Sequence, residues 1–216
     1  MQRRPGPTAY NRDMGLPPSL HIRRLAGQSV LPYLDDVARL RITVFRDWPY
    51  LYDGDMDYEQ RYLAAYASSP RSVFVLAFDG DTVVGASTGI PLAEDAEAFQ
   101  KPFLERGIDA QRVFYFGESV LLHAYRGRGI GHAFFDHREA HARGLGGFGL
   151  TAFAAVDRDD DDPRRPPDYR GNDAFWHRRG YRRQPGMTMH LEWNELGRGE
   201  IDHALTFWIR PLEPVA

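Results

Sequence analysis

The segment Arg126-Gly127-Arg128-Gly129-Ile130-Gly131 restricts what this 216-residue chain can fold into more than any other. An apolar run, residues 111–122, precedes it and a run with helical spacing, residues 131–142, follows, so the order is strand, tight turn, helix. Glycines in such a turn let the backbone approach a ligand closely, and the free amides of the turn and first helical turn converge on an anion. Arg126 and Arg128 add positive charge, which makes a pyrophosphate the natural occupant. A P-loop would end in Gly-Lys-Ser or Gly-Lys-Thr, and no lysine stands here. A dinucleotide fingerprint begun at Gly127 or Gly129 needs its third glycine where His132 or Phe134 stands. The plain alternative is a surface connection, for which three alternating glycines beside two arginines are unnecessary.

Residues 1–18, rich in Pro, Gly and Arg, read as a flexible arm, which leaves 19–216 for one folded domain. Residues 21–25 suit a short strand, and 32–45 and 57–67 suit helices. Asp79-Gly80-Asp81 lies between two β-prone runs, 71–78 and 82–87, and signals a hairpin. Residues 92–104 read as a helix, irregular around Pro102. Residues 111–122 are apolar on both faces, as one continuous central strand should be. The glycines at 144, 146 and 147 stop the helix begun at 131, and 149–156 is another strand. Residues 157–170 are too rich in Pro and Asp for regular structure; a short helix over 172–179 and strands over 181–193 and 203–209 complete the chain. The expected class is α/β (α+β), with a mixed central sheet flanked by helices.

The apolar fraction of 43% belongs to a globular protein, and no run approaches the roughly 20 apolar residues that cross a bilayer. The first residues lack the apolar stretch of a secretory signal, so the expected location is the cytoplasm and no membrane partner is expected. Absence of cysteine excludes disulfides, thiolate metal sites and a cysteine nucleophile. A net charge of -3 argues against long-range attraction to nucleic acid. Lys101 is the only lysine, which sets lysine aside as a catalytic candidate. No metal is expected: His137 and His141 share a helical face without a third ligand, and the four consecutive acids 159–162 cannot all face one ion.

The glycine segment matches the acyl-CoA-binding pattern Arg/Gln-x-x-Gly-x-Gly/Ala. With Gly117-Glu118-Ser119-Val120 upstream and Asn172-Asp173-Ala174-Phe175-Trp176 and Gly180-Tyr181 downstream, the chain resembles the GNAT superfamily of acyl-coenzyme-A-dependent N-acyltransferases over residues 20–212. The resemblance implies a single GNAT-like domain, acetyl-CoA as co-substrate and an amine, small-molecule or peptide, as acceptor. It implies that backbone groups of Val120, Leu121 and Leu122 pair with the pantetheine amides. It also implies that the amides of Arg126, Gly127, Arg128, Gly129, Ile130 and Gly131 hold the pyrophosphate, and that Asn172, Phe175 and Trp176 pack beside the cofactor arm.

Acyl transfer to an amine needs the amine deprotonated, the thioester carbonyl held for direct attack, and charge at its oxygen stabilised. Glu118 interrupts the apolar strand just before the cofactor segment and is the leading base; a substrate contact or pairing with an arginine are its alternatives. Many members of the resembling family carry a Phe-Tyr pair in the short helix, whose hydroxyl protonates the leaving thiolate. Here the pair is Phe175-Trp176, and an indole cannot serve. Ser119, Tyr169 or Tyr181 could replace it, as could water. This departure motivates the alternative function, a non-catalytic acyl-CoA-binding regulatory or sensor protein. The connection between the first helices concentrates aromatic and charged residues, and in the resembling fold Arg46, Trp48, Tyr50, Tyr52 and Asp53 would border the acceptor pocket. Phe207-Trp208 suits either core or a subunit interface, which leaves monomer and homodimer both open.

Overall fold

Asp79-Gly80-Asp81 turns the chain as expected, with Gly80 at φ 58° between β2 (Val73–Asp79) and β3 (Thr82–Pro91). The computed structural model describes residues 19–213, so the expected arm over 1–18 lies outside the described residues. β1 (Leu20–Ala26) pairs antiparallel with β2. The remaining strands are β4 (Val113–Tyr115), β5 (Ser119–Leu121), β6 (Leu150–Val156), β7 (Arg182–Glu195) and β8 (Gly199–Pro211). Their order is β1-β2-β3-β4-β6-β8-β7, with β5 on β3, and the β4–β6 pair is parallel among antiparallel neighbours. The sheet is therefore mixed.

Both faces are covered, which explains why β2 is apolar throughout. Val73, Val75 and Ala77 pack with Ile130, Ala133 and Phe134 of α4 (Ile130–Leu145), while Phe74, Leu76 and Phe78 join the other face. That second face carries α1 (Leu34–Phe45) and α2 (Met56–Ser68). α1 opens with Asp35 and Asp36, favourable at a helix start. Asp55 caps α2 by accepting from Tyr58 N–H at 2.8 Å. Residues 27–33, partly included in the expected first helix, form a 3-10 turn instead, and α3 (Glu97–Leu104) covers β7 and β8 through Phe103 and Phe207. Phe207 and Trp208, core or interface by sequence, are both core. No helix of the described residues is long and apolar enough to cross a membrane.

The expected continuous strand over 111–122 is broken. From Ile90 to Ser87 β3 takes three steps, while the facing strand takes four from Tyr115 to Ser119, so one extra residue is inserted. Gly117 occupies the break because a Cβ there would meet Thr88 Oγ1 at 2.6 Å and the Tyr66 hydroxyl at 3.0 Å. Apolar character alone could not reveal this, since it fits a straight strand equally well.

Candidate active site

The break opens the sheet beside the glycine turn. β4 runs parallel to β6 as far as Tyr115 and Ala152, and Phe116 N–H still reaches Ala152 O at 2.8 Å. β5 then follows β3, while β6 continues to Val156 alongside β8. Leu122 N–H donates to Val84 O at 3.0 Å and Glu118 O accepts from Thr88 N–H at 3.1 Å. Because backbone groups alternate along a strand, those of Ser119 and Leu121 turn away from β3 towards the gap. Of Val120, Leu121 and Leu122, the structure thus turns Leu121 to the gap, whereas the Leu122 N–H is taken by β3. Arg126 Nε reaches Leu121 O at 3.4 Å from the same side.

The turn itself needs glycine at two positions. Gly127 at φ 76° and Gly129 at φ 81° occupy the left-handed region, which a side chain disfavours. Gly129 caps α4, and Ala133 N–H to Gly129 O at 3.2 Å closes its first turn. The amides of Ile130 and Gly131 therefore carry no intrahelical bond and face the positive end of a 16-residue helix. Arg126 and Arg128 are exposed beside them. These features suit a pyrophosphate, with the open edge of β5 leading into the sheet. Phe175 of α5 (Asp173–Arg178) closes over Gly131, and Asn172 stands exposed at that helix's start. Trp176 instead packs on Phe153 and Trp208, with ring centroids 5.0 and 5.1 Å away. Buried Glu139 of α4 fixes α5 through Arg179 at 3.1 Å and reaches β8 through Arg210 at 2.8 Å.

Arg138, only 2% exposed, explains how the break is held. Its Nη1 donates to Thr88 O at 3.2 Å and Glu118 O at 3.1 Å, and its Nε to Phe134 O at 3.1 Å. The guanidinium lies 4.2 Å from the Phe116 ring centroid. Burial lowers its pKa to about 10, which leaves it charged at neutral pH. Arg138→Met removes these charge-assisted bonds, although Thr88 O and Glu118 O keep their backbone donors Gly117 N–H and Thr88 N–H, so we expect a loss of about 1–3 kcal/mol. Urea unfolding monitored by circular dichroism measures it, and an unchanged midpoint would contradict the role.

A cleft of about 430 Å³ reaches the break from the α1 and α2 side. Glu118 lies at its floor, 8% exposed, with Arg41 Nη1 2.7 Å from its Oε2. Arg41 Nε is bound at the same time by Glu59, which is fully buried behind it. Burial opposes the Arg41 charge, but Glu118, Tyr62 and Glu59 outweigh it and raise its pKa. Glu118 thus has the arginine partner that the sequence left as one alternative. Tyr66 donates to Asp95 at 2.7 Å, and burial raises the pKa of both groups. Burial also pushes the Tyr50 hydroxyl up to about 12 and that of Tyr62 higher, so these phenols are neutral at physiological pH.

Tyr50 and Tyr52, expected at an acceptor pocket, line this cleft. Arg46 and Asp53 instead pair with one another at 2.9 Å on the surface. Trp48 lies outside the lining, edge-on to Tyr169 at 6.2 Å. Leu51 between Tyr50 and Tyr52 has φ 52°, an uncommon conformation for a non-glycine residue, and its carbonyl is tied by Leu196 N–H at 2.8 Å. Residues 157–170 are irregular as expected but are pinned in place. Arg158 binds Pro49 O at 2.7 Å, Tyr50 O at 3.0 Å and the buried Glu195 at 2.6 Å, and Arg164 binds Glu195 as well. Asp162 pairs with Arg164 at 2.6 Å, and Asp160 pairs with Arg165.

Ser119 is exposed at the gap next to Glu118. Tyr181 is not brought there: it is fully buried, and its hydroxyl meets Thr151 at 2.9 Å and Glu139 at 3.4 Å. Its position after Gly180 mattered for packing against Phe135 and Phe153, not for reaching the break. Sequence reasoning missed Arg41, Glu59, Tyr62, Tyr66 and Asp95. The only signal was a stripe, Tyr58, Tyr62 and Tyr66 at four-residue spacing, together with charges on otherwise apolar helix faces.

The model of the acetyltransferase (GNAT) family matches residues 39–166. Among solved structures, the fold is similar to a putative acetyltransferase from Salmonella typhimurium with its cofactor acetyl-CoA: TM-score 0.56, 13% identity, covering 92% of this chain and 96% of that one. It is similar also to a GCN5-related N-acetyltransferase from Kribbella flavida, with TM-score 0.53, 22% identity and coverage of 90% and 98%. A ribosomal-protein-alanine N-acetyltransferase from Brucella melitensis gives TM-score 0.56, 15% identity and coverage of 88% and 99%. At such identities the likeness is one of fold. No curated protein matches the chain by sequence.

Proposed function

Because this chain belongs to the GNAT family of acetyltransferases, we propose that it transfers an acetyl group from acetyl-CoA to a primary amine by direct attack. The observation that supports this reading is the broken strand, with the glycine turn on one side of Glu118 and a half-open cleft on the other. The turn 126–131 holds the pyrophosphate through backbone amides, and the free edge of β5 receives the pantetheine arm. When bound, the thioester supplies an activated acyl carbon. Glu118 takes a proton from the incoming ammonium so that nitrogen can form its bond to that carbon. The C–S bond breaks, and the second nitrogen proton goes to sulfur through solvent or the exposed Ser119 hydroxyl.

Calorimetric titration with acetyl-CoA, with NAD and ATP as controls, tests the cofactor half. Gly131→Ala is the informative variant: its new methyl would make only an ordinary contact, 3.6 Å from the Phe175 ring, and alanine favours a helix. We expect unchanged or higher stability but acetyl-CoA binding weaker by about tenfold, as the methyl holds the phosphate off the amides. Equal binding by the variant, or equal affinity for NAD, would refute the assignment.

A further inference from the structure

The cleft's lining restricts which amine can enter. Arg41 is its only basic residue among those described, against Glu94, Asp95, Glu118 and Glu192. Arg41 is consumed by Glu59 and Glu118, so no cation remains for an acceptor's carboxylate. Glu94 is held by Arg71 and Ser69, and Asp95 by Tyr66, so besides Glu118 the exposed Glu192 is the one acid left to a second ammonium group among the described lining residues. Glu118 differs. Arg41 Nη1 lies 2.7 Å from its Oε2, but its buried Oε1 has no partner, and the carboxylate lines the cleft floor. An ammonium would supply the missing donor.

Above that floor the walls are aromatic and apolar: Tyr50, Tyr62, Tyr66, Phe99, Tyr115 and Trp193. Trp193 is locked in place by its N–H to Tyr50 O at 3.1 Å and by stacking on His203 at 3.6 Å. The tyrosines there are neutral, so their rings offer uncharged π faces to both a cation and an aryl group. The volume, about 430 Å³, is that of a small-molecule pocket. Resting on the N-acetyltransferase reading above, we infer that the acceptor is a small arylalkyl monoamine without a carboxylate, its ammonium on Glu118 and its ring between Phe99 and Trp193.

The test has two arms. Binding to the protein alone is followed by tryptophan fluorescence, using 2-phenylethylamine, butylamine, 2-phenylethanol, 3-phenylpropionate, spermidine and a tripeptide with a free N-terminus. Turnover is followed as coenzyme A released from acetyl-CoA with each amine. 2-Phenylethylamine is expected to bind about tenfold more tightly than 2-phenylethanol or butylamine, and to give the highest kcat/KM of the amines. Trp193→Leu should narrow its advantage over butylamine. Preference for spermidine, the tripeptide or 3-phenylpropionate, or no binding of 2-phenylethylamine, would overturn the inference. Loss of acetyl-CoA binding or turnover would instead count against the transferase reading, because the fluorescence arm reports on the cleft without cofactor.

Discussion

Arg41→Met should destabilise the protein by about 3–5 kcal/mol, because it removes one partner from a buried ion-pair cluster. Arg41 is 8% exposed and joins Glu59, on α2, to Glu118 at the strand break. Methionine replaces only the aliphatic stem, so the loss comes from two carboxylates left without a cation and from the guanidinium's contacts with the Phe45 and Tyr62 rings, at 5.1 and 4.4 Å. Against a usual total of about 5–15 kcal/mol this is a large fraction. Urea unfolding should show a lower midpoint with an unchanged slope. Adding Glu59→Met should recover much of the loss, since packed apolar side chains often equal a buried pair in stability. A single variant as stable as the parent would mean that solvent already screens the cluster.

What could be read from the sequence was what is local. The hairpin at Gly80 and the glycine turn at 126–131 announce themselves because each depends on a few adjacent residues whose backbone demands are specific. The strand break did not, because the extra residue exists only relative to β3, whose pairing with 113–121 is a long-range fact. The floor of the cleft was hidden for the same reason. Arg41 and Glu59 stand 18 residues apart, and Glu118 comes from a third element, so no spacing rule connects them. Arg138 is a related case: on a helix of helical period it reads as a polar position, yet it faces inward, where it adds a second donor to the Thr88 and Glu118 carbonyls at the break. Tyr181 erred in the opposite direction. A hydroxyl beside the expected cofactor helix suggested chemistry, but the aromatic cluster of Phe135 and Phe153 claims the ring. Chemistry-bearing residue types locate a site only once the fold says which face they occupy.

Glu118→Gln should lower kcat/KM by about 10²–10⁴-fold, the usual contribution of a positioned base, while acetyl-CoA binding is preserved. Glutamine keeps the shape and size of the side chain, so the cleft and the backbone bonds of residue 118 to Thr88 and Arg138 persist. What it cannot do is accept the ammonium proton. The acidic limb of the kcat/KM profile should flatten with the rate loss, because the group whose protonation blocks turnover has been removed. Weakening Arg41's ion pairing is the competing explanation, and Glu59→Gln separates the two. It removes a charge from the same arginine yet leaves Glu118 in the cleft, so it should lower stability but cost much less activity than Glu118→Gln. Equal loss in both variants would mean that the cluster acts as a unit and that Glu118 is one of Arg41's anchors. An unchanged rate and profile in Glu118→Gln would remove it from the chemistry altogether, leaving proton acceptance to solvent at the Ser119 side of the gap.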